Sequence, residues 1–242
     1  MSAIKTEGLT KRYRNILAVD GLSLSVEEGE LFSLLGVNGA GKTTTIKMLS
    51  CLTKPDGGDA FLLGRSIVSD SSHVKAMIAV SPQETAIAPS LSVYENLELI
   101  CGVYGFSKDK KNKRIEELTE LLGLGEVIGR KAGKLSGGWQ RRLSIAMALI
   151  SEPKILFLDE PTLGLDVIAR SELWDIIRAL KGRVTIILTT HYMEEAEALS
   201  DRVAIMKGGR LILCDTVEGI KKIAGTDSFE AAFVRIVKGE VQ

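Results

Sequence analysis

The chain has 242 residues, of which 45% are hydrophobic and 26% are charged, as is typical of a soluble protein with one large domain or a compact pair. Its 31 basic residues balance 31 acidic ones, which argues against a surface built to coat nucleic acid. No apolar stretch approaches the ~18–20 residues of a membrane helix, no secretory leader is visible, and Cys51, Cys101 and Cys214 are too scattered for a disulfide frame or a zinc site.

The first third of the chain is predicted to consist of strands around one helix. Leu22, Leu24 and Val26 alternate with serines, and the apolar run 31–35 predicts a buried strand that ends abruptly at Gly36. A helix is predicted from about 41 to 52, where KPDGGD interrupts it, and a strand follows over 60–63.

The segment from about 84 to 150 has a helical pattern. Ser92 and Glu95 form a capping box at the start of the first helix. A second amphipathic helix ends at Gly123, and we interpret KDKKNKR at its start as a solvated turn. Its apolar face consists of Ile115, Leu118, Leu121 and Leu122.

A third helix in this segment begins with an unusual run of small residues, Ser136, Gly137 and Gly138. Glycine costs roughly 0.5–1 kcal/mol in a helix relative to alanine, so these residues need another reason to be there. The first backbone N–H groups of a helix have no partners within it, and together with the helix dipole they attract an anion. The sequence therefore predicts an anion site at the start of this helix.

After Pro153 the pattern returns to alternating strands and helices. The apolar runs 155–158 and 184–188 predict buried strands of a parallel sheet, with a helix between them that ends at Gly182. Segments 203–206 and 211–214 flank KGGR and predict a hairpin. The polar tail is expected to hold a short final helix with apolar residues Phe229, Phe233 and Ile236.

The stretch GVNGAGKTT, Gly36–Thr44, matches the pattern of a phosphate-binding loop between a strand and a helix. Its glycines let successive N–H groups curl around phosphates. Lys42 is expected to reach the β- and γ-phosphates, and the Thr43 hydroxyl to bind Mg²⁺.

Three further polar residues follow predicted strands and are expected at the same edge of the sheet. Asp159 is predicted to hold Mg²⁺ through water, and Glu160 to polarise an attacking water. His191 is predicted to contact the terminal phosphate. By their surroundings alone, Gln83 is unremarkable, and Tyr13 either stacks on a purine or is simply packed.

Taken together, these segments resemble the ATP-binding subunit of ABC transporters over about residues 3–215. LSGG at 135–138 is similar to the family signature, and the other motifs follow in the family's order. By this resemblance Gln83 is the Q-loop glutamine, which we assign to both the catalytic and the Mg²⁺-binding residues, and Asp166 is the D-loop aspartate. Two departures are Trp139, where glutamine is common, and Thr-Leu-Gly-Leu before Asp166.

The resemblance implies an α/β fold, a P-loop NTPase with a mostly parallel sheet, an N-terminal antiparallel β subdomain and an inserted α-helical subdomain. The ATPase domain would cover 1–215, with the helical subdomain at about 84–150, and 216–242 would form a C-terminal extension. ATP and Mg²⁺ are the implied cofactors. The residues assigned to the nucleotide are Tyr13, Gly36, Asn38, Gly39, Ala40, Gly41, Lys42, Thr43, Thr44, Ser136, Gly137, Gly138 and Asp166.

In this family the signature residues cap the γ-phosphate of the ATP held by a facing subunit, so two subunits enclose two ATP molecules. The implied partners are a second ATP-binding subunit, identical or homologous, and a separate membrane permease. No nucleic acid and no membrane insertion are expected, and the chain would lie at the cytoplasmic face of the cell membrane. The sequence around these motifs resembles that of exporters of drugs, antibiotics, ions or polysaccharides. The alternative is a soluble cluster-assembly ATPase of the same fold.

Overall fold

The computed structural model describes residues 2–240, so the predicted domain limits at residues 1 and 242 lie outside the described part. The strands are β1 (Ser2–Tyr13), β2 (Ile16–Glu27), β3 (Leu31–Leu35), β4 (Gly57–Leu62), β5 (Arg65–Ser66), β6 (Ile78–Ser81), β7 (Ile155–Asp159), β8 (Thr185–Thr190), β9 (Arg202–Lys207) and β10 (Arg210–Asp215). The helices are α1 (Lys42–Leu49), α2 (Ser71–Met77), α3 (Val93–Val103), α4 (Lys108–Leu121), α5 (Gly137–Leu149), α6 (Val167–Leu180), α7 (Met193–Leu199), α8 (Val217–Ala224) and α9 (Phe229–Lys238).

The larger sheet has the strand order β10-β9-β3-β8-β7-β6, and its pairs are parallel except β10 with β9. Its register aligns the strand ends, with Leu35 of β3 opposite Thr190 of β8, and Asp159 of β7 opposite Thr189. Ligands bind beyond the carboxyl ends of parallel strands, so the loops after β3, β7 and β8 meet at one edge. The smaller sheet is antiparallel, β2-β1-β4-β5, and the predicted fold class is confirmed.

The central strands are buried on both faces, which explains their unbroken apolar runs. Phe32 and Phe157 pack with α1 and the smaller sheet, whereas Leu156 and Leu188 pack towards α5 and α6. Each such side chain contributes about 1.5–3 kcal/mol through removal from water. The loops at the carboxyl edge therefore rest on a rigid base.

Helices α3, α4 and α5 form the helical insertion between β6 and β7. The predicted capping box is present, with the Ser92 hydroxyl accepting from the Glu95 N–H and the Glu95 carboxylate accepting from the Ser92 N–H. The interpretation of KDKKNKR as a solvated turn is wrong, because this segment forms the first two turns of α4. Ser107 caps that helix, Asp109 suits its positive end, and Lys111 pairs with Glu98 of α3.

The C-terminal segment forms two helices rather than the single one predicted. Helix α9 is confirmed, and its Phe229 and Phe233 pack on the sheet together with α7. Helix α8 was not predicted, although the Thr216 hydroxyl accepts from the Gly219 N–H and caps it. Helix α1 ends at Leu49, before the predicted 52, because Cys51 adopts a left-handed backbone conformation with φ of 56°. Between residues 2 and 240, no helix has both the length and the apolar content that crossing a bilayer requires.

Candidate nucleotide site

A cleft of about 680 Å³ lies at the carboxyl edge of the larger sheet. It brings together the phosphate-binding loop after β3, Glu160 after β7 and His191 after β8. Gln83, which follows β6, also lines the cleft. The cleft is lined by Ile16, Leu17, Ala18, Asn38, Gly39, Ala40, Gly41, Lys42, Thr43, Thr44, Gln83, Glu160, Leu163, His191 and Gly208. Its volume is in the range typical of small-molecule and cofactor sites.

The glycines of the phosphate-binding loop are required by close backbone approach. A Cβ at Gly36 would lie 2.5 Å from the Met206 carbonyl oxygen, and one at Gly41 would lie 2.5 Å from the Ala18 carbonyl oxygen. Gly41 also has a φ of 101°, a conformation that side-chain-bearing residues rarely adopt. The loop can therefore wrap tightly and present its N–H groups to phosphate only with glycine at these positions.

Lys42 places a buried cation at the floor of the cleft. Its ammonium donates to the Gly36 carbonyl at 2.8 Å and to the Val37 carbonyl at 3.4 Å. Glu160 Oε1 lies 3.5 Å from the same ammonium, and the Lys42 side chain is 5% exposed. A buried cation so close to open loop N–H groups is well suited to bind phosphate oxygens.

The Thr43 hydroxyl and Asp159 together fit a magnesium site. The Thr43 hydroxyl donates to Asp159 Oδ1 at 3.2 Å, and the Thr189 hydroxyl donates to the same oxygen at 2.5 Å. Mg²⁺ prefers oxygen ligands and is held by few protein groups together with phosphate oxygens and water. One hydroxyl at the cleft wall, backed by a buried carboxylate, matches that preference, so these residues fit the ion.

Glu160 has the position and surroundings of a general base. Its side chain Oε2 lies 3.1 Å from His191 Nδ1, and its backbone N–H donates to the carbonyl and the hydroxyl of Thr189. Its φ of 46° is uncommon for a non-glycine residue and costs about 1–3 kcal/mol. Backbone strain of this kind is typical of functional sites and is maintained by the surrounding contacts.

The signature residues lie outside the cleft lining and form a second patch. Ser136 is at the N-cap of α5 without a side-chain capping bond, and no acidic residue occupies the first turn. A Cβ at Gly138 would lie 3.0 Å from the Ala169 Cβ, so glycine here lets the beginnings of α5 and α6 pack together. Asp166 caps α6 by accepting from the Ala169 N–H at 2.9 Å. We refer to Ser136, Gly137, Gly138 and Asp166 as the signature patch.

The departure at Trp139, with the glutamine displaced by one position, has a local structural role. The Arg142 guanidinium stacks over the Trp139 ring at 4.6 Å. The displaced glutamine, Gln140, donates to the carbonyls of Ala132 and Leu135 and thus fastens the loop before α5. Neither residue lies in the cleft lining.

Tyr13 is 42% exposed at the end of β1 and is not part of the cleft lining, whereas Ile16, 70% exposed at the start of β2, does line the cleft. Sequence reasoning did not single out Ile16. The hairpin between Tyr13 and Ile16 holds both residues near the rim. The assignment of Tyr13 to a purine ring remains a prediction.

Two buried charged residues were also missed by sequence reasoning. Arg141 on α5 is 4% exposed and donates to the carbonyls of Pro82 at 2.6 Å and Gln83 at 2.5 Å. Burial lowers the pKa of the Arg141 guanidinium, and the Asp159 and Glu195 charges oppose the shift. Glu195 on α7 is fully buried, and burial raises the pKa of its carboxyl. Their signal in the sequence is a charged residue on the apolar face of a helix.

Comparison with known proteins agrees with this geometry. Residues 19–163 match the family described as ABC transporter. A daunorubicin/doxorubicin resistance ATP-binding protein of Streptomyces peucetius is 42% identical over 226 residues, covering 93% of this chain and 68% of the relative. A Nod factor export ATP-binding protein I of Burkholderia lata is 43% identical over 213 residues, covering 88% and 70%.

Solved structures with the same fold include two nucleotide-binding proteins. The ATP-binding subunit of an ABC transporter superimposes with a TM-score of 0.85 at 26% identity, covering 97% of this chain and 99% of that one. A dimeric ATP-binding cassette in a post-hydrolysis state, bound to ADP and Pi, has a TM-score of 0.78 at 27% identity, covering 88% and 98%.

Proposed function

This chain belongs to the ABC transporter family as an ATP-binding, ATP-hydrolysing subunit. We propose that two copies face each other, and that the cleft of one copy and the signature patch of the other bind the same nucleotide. The observation that carries the proposal is the separation of the two sites. The signature patch, with open helical N–H groups, is exposed and lies outside the lining of the cleft. A head-to-tail pair brings the patch of one copy over the cleft of the other.

In this pair each chain contributes different groups to each ATP. The phosphate-binding loop and Lys42 bind the β- and γ-phosphates, and Ser136–Gly138 of the facing copy bind the γ-phosphate with charge-assisted hydrogen bonds. ATP therefore holds the pair together, and loss of the γ-phosphate after hydrolysis weakens it. This is a switch driven by the terminal phosphate.

Hydrolysis relies on the residues around the γ-phosphate position. Glu160 accepts the proton of the attacking water, and His191, in contact with Glu160, orients the terminal phosphate. Thr43 and, through water, Asp159 would hold Mg²⁺ near Gln83 of the cleft lining, and the ion would neutralise phosphate charge. Tyr13 and Ile16 at the rim are suited to pack against the base.

The second partner we propose is a membrane permease that binds a groove beside Gln83. The groove has a volume of about 530 Å³ and lies between the core and the helical insertion, with Pro82 in its wall. Leu52, Val103 and Tyr104 at its rim are 68%, 75% and 53% exposed, which is unusual for a cluster of apolar side chains. A helix of the permease with an apolar face would cover them.

We propose that the chain powers export and that it lies at the cytoplasmic face of the cell membrane. The relatives named above are a drug resistance protein and a Nod factor exporter, and both are ATP-binding proteins. These relatives favour a transport ATPase over the alternative of a soluble cluster-assembly ATPase.

Mixing two variants tests the pairing. Lys42→Ala disables the cleft, and Ser136→Arg places a bulky cation in the signature patch. A pair of either variant alone has no intact site, but a mixed pair has one site with both parts intact. With Glu160→Gln added to both chains so that the γ-phosphate is retained, we expect ATP to produce a dimer on size exclusion for the mixture and not for either variant alone. The control is Lys47→Ala, a substitution at an exposed position on α1, which should leave ATP-dependent dimer formation unchanged. A mixture that stays monomeric with ATP contradicts the proposal.

Substitution in the groove tests the permease. Val103→Glu introduces a charge at the rim of the groove, whereas Ile212→Glu introduces one at a 44% exposed position on β10. In the native host we expect Val103→Glu to release the chain from the membrane fraction and Ile212→Glu to leave it bound. Equal release by both variants, or by neither, contradicts docking at this groove.

A further inference from the structure

Glu195 is a buried carboxyl that no step of the hydrolysis described above uses. It lies on the inner face of α7, four residues beyond His191, and has no exposed surface. Its neighbours on that face, Ala196 and Leu199, belong to the apolar core. A carboxyl in such a place is costly unless its hydrogen bonds compensate, so its partners indicate what it does.

The partners of Glu195 come from the segment that follows Glu160. The Thr162 hydroxyl donates to Glu195 Oε1 at 2.8 Å, and the Trp174 indole N–H donates to the same oxygen at 3.3 Å. Oε2 makes no hydrogen bond of normal geometry, although the Thr190 hydroxyl is near enough to stabilise the charged form. One oxygen thus joins α7 both to the loop after β7 and to helix α6.

The loop that Glu195 holds begins at a strained residue. Glu160 has a left-handed backbone conformation, and Thr162 is two residues further along. Such a conformation persists only when the surrounding structure fixes it on several sides. On the strand side, the Glu160 N–H is bound to Thr189. On the loop side, the Thr162 hydroxyl bound to Glu195 is a buried side-chain contact.

The same loop continues from the cleft to the signature patch. Leu163 lines the cleft, Leu165 packs near Gly137, and Asp166 caps α6. The Trp174 contact fixes α6, the helix at the far end of the loop. The single carboxyl of Glu195 therefore binds the loop at Thr162 and the helix that follows the loop at Trp174.

We propose that Glu195 is a positioning residue that, through Thr162, holds the Glu160 loop in its hydrolysis-competent conformation and in fixed relation to His191. Its carboxyl does not line the cleft, and its effect passes through Thr162. Its Oε1 is the acceptor that links the loop and α6, and burial raises the pKa of its carboxyl. The inference rests on the role of Glu160 proposed above.

The test compares Thr162→Val with Thr6→Val. Both threonines are buried, and both lose one hydroxyl hydrogen bond, since the Thr6 hydroxyl accepts from the Leu24 N–H in the smaller sheet. We expect similar losses of stability in urea unfolding. Only Thr162→Val should lower kcat, by about tenfold to a hundredfold, with the KM for ATP unchanged, because the base is misplaced while binding is intact.

A second pair of variants tests Glu195 itself. Glu195→Gln keeps an oxygen that accepts from Thr162 and should retain kcat. Glu195→Leu has no such oxygen, and its kcat should fall by the same factor as that of Thr162→Val. The double variant, Thr162→Val with Glu195→Leu, should be no slower than either single variant. If Thr162→Val and Thr6→Val have the same kcat, or if Glu195→Gln is as slow as Glu195→Leu, the inference is overturned.

Failure of the inference is distinguishable from failure of the proposed function. If Glu160→Gln abolishes turnover while Thr162→Val does not alter it, the base is correctly assigned and the positioning role is wrong. If Glu160→Gln retains full turnover, the proposed mechanism itself fails, whatever Thr162→Val does.

Discussion

Replacing Glu160 by glutamine should stop turnover while leaving ATP binding intact. The side chain is nearly buried, at 10% exposure, between Lys42 Nζ at 3.5 Å and His191 Nδ1 at 3.1 Å. Glutamine fills the same space and keeps hydrogen-bonding atoms at both positions, but it cannot accept the proton of water. General base catalysis contributes about 10²–10⁴ in rate. The substitution should therefore raise the activation barrier by about 3–5 kcal/mol.

The assay measures phosphate release at saturating ATP, with nucleotide affinity measured separately on the dilute monomer. We expect ATP affinity to be unchanged and an ATP-dependent dimer to accumulate on size exclusion, because the γ-phosphate that joins the copies is retained. Glu172→Gln, at an exposed position on α6 paired with Arg142, is the matched control and should turn over normally. Phosphate release by Glu160→Gln at the rate of the control would refute the role of Glu160.

Three further substitutions test other parts of the site. Lys42→Ala should weaken ATP binding by roughly tenfold to a hundredfold, because it removes charge-assisted hydrogen bonds, and isothermal titration that finds unchanged affinity would reject that role. Gln83→Ala should lower transport more than basal ATPase in vesicles holding the permease, and equal losses would assign Gln83 to chemistry instead. Burial raises the pKa of Glu195 despite opposing hydrogen bonds from Thr190, Thr162 and Trp174 and the charge of Arg170, so the folded chain binds that proton more tightly than the unfolded chain. Wild type should therefore lose stability relative to Glu195→Gln as the pH rises above about 4.3, the ordinary pKa of Glu. If urea unfolding gives the same difference in unfolding free energy between the two chains at every pH from about 5 to 8, this prediction is contradicted.

The strand–loop–helix part of the site could be predicted because its signals are local. Gly36 and Gly41 are close in sequence to Lys42, and the apolar runs of β3, β7 and β8 reveal strands buried on both faces. The α4 segment was interpreted wrongly because a dense run of lysines indicates solvent exposure but not backbone conformation. The cap at Ser107 and the pairing of Lys111 with Glu98 decide for helix, and they depend on neighbouring structure.

The contacts of Arg141 and Glu195 could not be predicted in the same way. The partners of Arg141 are 58 and 59 residues away, and Thr162 is 33 residues from Glu195. Sequence spacing carries no information about which distant carbonyl or hydroxyl a buried charged group will meet. Only the packing of α5 and α7 against the sheet decides it.

The Arg141 guanidinium has a mechanical consequence. It joins the helix that begins at the signature patch to the carbonyls of Pro82 and Gln83, at the wall of the groove. Because Arg141 is buried and bound at two points, it fastens α5 to the Gln83 segment. In the proposed pair, we expect movement at one end of this linkage to be transmitted to the other, so that closure around ATP would displace a partner bound in the groove.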